Sequence, residues 1–234
     1  MSTVALVTGA TSGIGRATAL RLAQDGYLVY CHGSSAASDF SVLAAVEQAG
    51  GTAKQLIADF ADERQVRAMF AEIEHIDVLV NAAGTVSRSK PVTTENFRHT
   101  LQINLVSLFL CCTLARERGA KAIVNVGSMQ GLQHCARTAD YAASKAGVHN
   151  LTVSLAREYA PECRVNAVAP GFTKTGMHAG MQERLDAEAA KTPLQRYAEP
   201  KEVAEVIRFL AGEQSGFVTG EVVTVDGGRN FVVA

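Results

Sequence analysis

The sequence has no tryptophan, only 6% aromatic residues and five prolines in 234 positions. It therefore lacks the aromatic stacking platforms of single-strand nucleic-acid binders and the proline density of extended recognition segments. Neither sign of charge dominates: 22 basic residues face 23 acidic ones, for a formal net charge of −1, and no basic stripe is present to track phosphates. Nucleic acid is excluded as an expected partner. Cys31, Cys111, Cys112, Cys135 and Cys163 are odd in number and form no CxxC or Cys/His ligand spacing. They predict neither a disulfide framework nor a metal site, and read as thiols of a cytoplasmic protein. The longest apolar runs, such as 105–110, fall far short of the roughly 20 residues a membrane-spanning helix needs. No basic leader or small-residue cleavage site follows Met1, so no secretory signal is expected.

What is present is 47% hydrophobic residues arranged in alternation. Short β-branched runs at 4–8, 27–31, 53–58, 77–81, 120–126, 164–169 and 221–225 are separated by segments of helical periodicity at 13–24, 40–49, 62–74, 95–117, 141–159 and 200–211. This pattern predicts a single α/β domain, a doubly wound, seven-stranded parallel sheet of Rossmann type with helices on both faces. Between 172 and 200 the pattern weakens into polar, Met- and Ala-rich sequence, as expected of a substrate lid. Met177, Met181 and Leu185 fall there at helical spacing and are candidates to cover a substrate.

Thr8-Gly9-Ala-Thr-Ser-Gly13-Ile-Gly15 follows the first strand and opens the first helix. A turn without Cβ atoms lets the backbone approach a pyrophosphate, whose charge the helix N-terminus then meets. The spacing is GxxxGxG, so a turn needed only for packing is the competing reading. From Gly26 through Ser38 there is no Asp or Glu to bind ribose hydroxyls and repel a 2′-phosphate. His32, Ser34 and Ser35 stand at the end of the second strand instead, with Arg16 on the first helix. NADP(H) is favoured and NAD(H) remains possible.

Tyr141-Ala-Ala-Ser-Lys145 sets a phenol and an ammonium one helical turn apart on one face. A neighbouring ammonium and a cationic nicotinamide both favour phenolate, so the Tyr141 pKa is expected to fall. Ser128 follows the strand ending at Val126, at the carboxyl edge where open α/β sheets place their sites.

In this order, Thr8 to Gly15, Asn81-Ala-Ala-Gly84, Asn104, Ser128, Tyr141 with Lys145, Pro170-Gly171 and Val225-Asp-Gly-Gly228 resemble the short-chain dehydrogenase/reductase family along the whole chain. The resemblance implies a catalytic set of Asn104, Ser128, Tyr141 and Lys145. Tyr141 would be the general acid in reduction, Ser128 would orient the carbonyl, Lys145 would bind the nicotinamide ribose, and Asn104 would hold a water linking Lys145 to solvent. It also implies cofactor contacts from Gly9, Ser12, Gly13, Ile14, Gly15, Asp59, Phe60, Asn81, Ala82, Gly84 and, along 170–175, Pro170, Gly171, Thr173 and Thr175. Two positions depart from the family pattern: Ala82 stands where a second Asn is commoner, and Ser12 where NADP-preferring members often carry a basic residue.

Within the family the sequence is most similar to 3-oxoacyl-[acyl-carrier-protein] reductases, in 125–128, 141–147 and 169–172. That likeness implies reduction of a 3-oxoacyl thioester carried on acyl-carrier protein or coenzyme A. Reductases or dehydrogenases of another small alcohol, sugar or ketone share these features, and a catalytically silent NADP(H)-binding sensor is the alternative of another class. Arg116, Arg118 and Lys121 offer a basic patch for an acidic carrier, or a solvated helix end. Gln133 and His134 lie close enough to Ser128 to line a pocket. A homo-oligomer, commonly a tetramer, is also implied by the resemblance.

Overall fold

The computed structural model describes residues 3–87, 91–133, 138–176 and 182–231. Seven strands form one parallel sheet in the order β3-β2-β1-β4-β5-β6-β7. They are β1 (Val4–Thr8), β2 (Leu28–Gly33), β3 (Thr52–Ile57), β4 (Val78–Asn81), β5 (Ala122–Val126), β6 (Arg164–Pro170) and β7 (Val222–Val225). The helices are α1 (Gly13–Gln24), α2 (Ser41–Gln48), α3 (Glu63–Ala71), α4 (Thr94–Leu101), α5 (Ser107–Glu117), α6 (Ala139–Tyr159), α7 (Gln182–Ala189) and α8 (Pro200–Ala211).

The central strands are apolar on both faces, as a parallel sheet covered twice requires. β4 and β5 are buried at every residue. Their alternation divides the core. Leu6, Leu79 and Ile123 pack under α3, α5 and α6 with Phe70, Leu108 and Leu155. Val7, Val80 and Val124 point the other way, to Leu22 of α1 and Ile207 and Leu210 of α8. α8 shows how local sequence fixes an element. Pro200 opens it, Glu199 and Glu202 close a reciprocal capping box, and Val203, Ile207 and Leu210 recur on the buried face.

One expected element differs. The helix anticipated at 95–117 is broken into α4 and α5 by a π-helical segment at Gln102–Val106. Asn104 within it accepts the Thr85 N–H at 2.8 Å and donates to Thr85 O and Ser144 Oγ. The extra residue per turn admits these side-chain bonds, which a regular helix would not present together. Among the described residues no helix is long and apolar enough to cross a membrane.

Of the two readings of the basic turn at 116–121, the helix end is the one its contacts favour. It precedes β5 and therefore lies at the amino edge of the sheet, opposite Tyr141. Arg118 donates to Ile73 O and Leu114 O and stacks over Phe70, while Arg116 covers the Tyr159 ring. These cations close a helix end, and a carrier docked there could not deliver an acyl group to the opposite edge.

A polar cluster crosses the core between β4, β5 and α6. Asn81 Nδ2 donates to Asn125 Oδ1 at 2.9 Å, and Asn125 Nδ2 donates to Thr152 Oγ1 at 3.0 Å. Asn125 is fully buried. Replacing it with Ala strands both partners, and urea unfolding is expected to show a loss of about 2–3 kcal/mol.

Candidate active site

The sheet order reverses between β1 and β4, and a cleft of about 940 Å³ opens beyond the carboxyl ends of the strands there. Its floor is the glycine turn. Gly9 has φ +65°, and a Cβ there would come 2.8 Å from Ala83 Cα, so the turn after β1 presses directly on the turn after β4. Thr8 Oγ1 locks the two by accepting Ala82 N–H and Ala83 N–H, each at 3.1 Å. Ser12 stands at the N-cap of α1, yet its side chain makes no capping bond. The first amides of α1 are thus left to whatever occupies the cleft, a fit for a diphosphate.

Gly9, Ser12, Gly13, Ile14, Gly15, Ser34, Ser35, Asp59, Phe60, Ala82, Gly84, Pro170, Gly171, Thr173 and Thr175 all line this cleft, as do Ser128, Tyr141 and Lys145. Two of the expected contact residues have their side chains engaged with the protein. Asn81 is buried with its amide turned into the core, onto Asn125 and Cys112 Sγ, so its side chain holds β4 against β5 and α5. His32 lines the cleft with both ring nitrogens already engaged. Its Nδ1 accepts Gly9 N–H at 3.1 Å, its Nε2 lies 2.9 Å from Ala58 O, and its ring stacks on Phe60 at 4.3 Å. Both nitrogens are consumed in tying together the ends of β1, β2 and β3. Ser34 and Ser35 are exposed beside it, and Arg16 is close enough to help lower the pKa of Asp39 in the same loop.

At the other end of the cleft, Ser128, Tyr141 and Lys145 meet. Ser128 Oγ accepts the Gln130 N–H at 3.2 Å and hydrogen-bonds the Tyr141 hydroxyl. Lys145 is only 4% exposed. Its Nζ donates to Val126 O at 2.7 Å and lies 5.6 Å from the Tyr141 ring centre. Burial pulls the Lys145 pKa down to about 8, so it still carries its charge at neutral pH. In the chain without cofactor, burial of the phenol raises the Tyr141 pKa, and the bond to Ser128 opposes this only in part. Asn104 is fully buried behind the site, its side chain clamping the 85 loop to α6.

Three contributors were not anticipated. Thr8 clamps the floor. Asp140 accepts from Thr100 Oγ1 at 2.7 Å and from Ser87 N–H, which fixes the wall beside Tyr141. His149 lies behind Ser128; its spacing of four from Lys145 and eight from Tyr141 placed it on the same helix face, a signal available in the sequence. The substrate end of the cleft adds Val86, His99, Ile103, Gln130, Thr138 and Phe172. His134, Met177 and Met181, and the side chain of Leu185, lie outside the described residues. Gln133 bonds Asn230 at 2.7 Å on the rim. The segment beyond Phe172 leaves and returns through one point, a Thr173–Ala198 bridge, and α7 is tied to the C-terminal turn by Glu188 and Arg229 at 3.1 Å. Among the described residues no His, Cys, Asp and Glu cluster could hold a metal.

Residues 9–230 match the family described as enoyl-(acyl carrier protein) reductase. The chain belongs to the short-chain dehydrogenase/reductase family, and it is an oxidoreductase acting on CH–OH or C=O groups. It is 41% identical to an uncharacterized oxidoreductase, YgfF, of Escherichia coli, over 97% of this chain and 99% of that one. It is also 41% identical to cis-4-hydroxycyclohexanecarboxylate dehydrogenase of Sinomonas cyclohexanicum, covering 98% and 97%. The 3-oxoacyl-[acyl-carrier-protein] reductase FabG of Thermotoga maritima is 37% identical, with 96% of each chain covered. Among solved structures, a variant of actinorhodin polyketide ketoreductase with NADPH superposes with a TM-score of 0.91 at 32% identity, covering 99% and 98%.

His32 generates a pH prediction. Burial lowers its pKa from 6.5 to about 4, so the unfolded chain takes up the proton first. The stability it contributes is complete above about pH 6.5 and is lost as pH falls toward 4, on the order of 3 kcal/mol for one ring. Urea unfolding across this range should show the decline, and His32→Gln should be less stable at pH 7 but lose less on acidification.

Proposed function

We propose that the protein is a cytoplasmic, NADPH-dependent reductase that converts a 3-oxoacyl thioester, carried on acyl-carrier protein or coenzyme A, to the 3-hydroxyacyl product. The carrying observation is the meeting of Ser128, Tyr141 and Lys145 at one end of a cleft whose other end is the glycine turn and open N-terminus of α1. The turn and helix N-terminus would hold the diphosphate, and Asp59 and Phe60 the adenine side. Lys145, beside Gly84, would hold the ribose next to the nicotinamide. Bound there, the reduced nicotinamide supplies a hydride.

The side chains supply the rest. Ser128 Oγ accepts the Gln130 N–H, and its proton, shared with Tyr141 in the free protein, would turn to the substrate oxygen when that oxygen enters between them. Tyr141 delivers the proton to that oxygen as the C–H bond forms, and takes it back in the reverse direction. The Lys145 charge stabilises the phenolate left behind, and Asn104 and Asp140 keep the walls in register. The absence of any acid from 26 to 38, with Ser34, Ser35 and Arg16 at the strand end, supports NADPH over NADH. The segment at about 172–200 serves as the lid, hinged where Thr173 meets Ala198. Val106 and Phe109 on the π segment and α5, Val153 on α6, and Phe209 and Phe217 are exposed apolar surface suited to a homo-oligomer, taken as a tetramer.

A second reading is a dehydrogenase of a compact secondary alcohol or ketone. The 41% identity to a hydroxycyclohexanecarboxylate dehydrogenase and the polar lining from His99, Gln130 and Thr138 favour it. Acetoacetyl-CoA separates the two: under the leading reading it is reduced with NADPH, and under the second it is not, while another small alcohol, sugar or ketone is turned over. With either substrate, Tyr141→Phe should lower kcat by about a thousandfold while NADPH titration by nicotinamide fluorescence stays within about threefold of wild type.

A further inference from the structure

Behind Ser128 lies a buried histidine that the reaction as described does not use. His149 follows Lys145 by one turn of α6 and is 7% exposed. Its Nε2 lies 3.3 Å from the Ser128 N–H. A nitrogen that accepts there must present a lone pair, so the ring proton sits on Nδ1. That Nδ1 is buried with no well-formed hydrogen bond, the Gly131 backbone lying close to the ring. A leucine would fill comparable space without stranding a donor, so packing alone does not account for the imidazole.

The backbone has been cleared to admit the ring. A Cβ on Gly127 would collide with His149 Nε2, and one on Gly131 would come 2.8 Å from Cε1. Both ends of the turn carrying Ser128 are therefore glycine where it wraps the imidazole. Two residues before Ser128, Lys145 Nζ holds the carbonyl of Val126 at 2.7 Å. One face of α6 thus grips this segment twice, by a carbonyl and by an amide.

We propose that His149 is a positioning residue for Ser128: its ring nitrogen fixes the Ser128 amide, and with it the direction in which the Ser128 hydroxyl donates. The proposal rests on the reading of Ser128 as the donor to the substrate oxygen. Burial and the nearby Lys145 ammonium, against a contact with the Gly131 backbone, bring the His149 pKa down to about 4, which keeps the ring a neutral acceptor at working pH. Gln130 N–H on Oγ and His149 on the amide then hold the serine from two sides.

The test uses His149→Leu, His149→Gln, Ser128→Ala and the Ser128→Ala/His149→Leu double variant. Amide hydrogen exchange of the 127–131 peptide is measured without cofactor, and turnover with ethyl acetoacetate and NADPH. His149→Leu should speed exchange at the Ser128 amide by about tenfold or more and lower kcat by about tenfold, with the KM for NADPH within about twofold. Gln, whose amide oxygen reaches the place of Nε2, should restore both. In the Ser128→Ala background, His149→Leu should cost nothing further. Unchanged exchange in His149→Leu, or a multiplicative loss of kcat on top of Ser128→Ala, overturns the proposal. If Ser128→Ala itself leaves kcat unaltered, or ethyl acetoacetate is not reduced, the failure belongs to the reading of the site or of its substrate, and the exchange rates alone decide whether His149 holds the amide. Should His149→Leu not fold, unprotected exchange in the Gln variant counts against the proposal and protected exchange supports it.

Discussion

A lysine ammonium buried at the carboxyl edge of a parallel sheet is the constraint around which the site is organised. Lys145 can be kept there only because Val126 offers it a carbonyl, and that carbonyl is available only where β5 ends. The same burial that lowers the lysine pKa raises that of Tyr141, so the chain by itself holds the phenol protonated next to a charge. Such a pair is poised to be tipped by a second cation, and the cleft leads from it directly to the glycine turn where a dinucleotide's diphosphate fits.

The rest of the structure maintains that edge. Thr8 and Gly9 join the ends of β1 and β4, and His32 joins β1 to β2 and β3. Asn81, Asn125 and Thr152 pin β4, β5 and α6 from below. Asn104 and Asp140 hold the 85–87 loop against α6 from the side. Polar residues at sheet ends are therefore spent largely on rigidity, which leaves Ser128, Tyr141 and Lys145 to meet at one end of the open cleft. Preorganisation of this kind places donors where charge develops without reorganisation at the moment of reaction.

The sheet was legible in the sequence because buried parallel strands leave uninterrupted β-branched runs, and because glycine turns and Tyr-Lys spacing are local patterns. What local pattern does not carry is direction. Asn81 sits at a strand end like the other cleft residues, yet alternation along β4 turns it inward to Asn125. His32 ends β2 as a phosphate ligand would, but a ring with two nitrogens finds Gly9 and Ala58 first. The π segment at 102–106 is invisible to a 3.6-residue period, since it arises from the tertiary bonds of Asn104. The Tyr-Lys spacing reports the neighbouring charge, and only the structure adds the depth at which the pair is buried.

The most direct test of this account is an ultraviolet difference titration of the tyrosines, wild type against Tyr141→Phe, with and without NADP⁺. The account predicts that Tyr141 ionises above the ordinary tyrosine range in the free protein and at clearly lower pH once NADP⁺ is bound. A Tyr141 titration that is already depressed without NADP⁺, or one that NADP⁺ leaves unmoved, would contradict it.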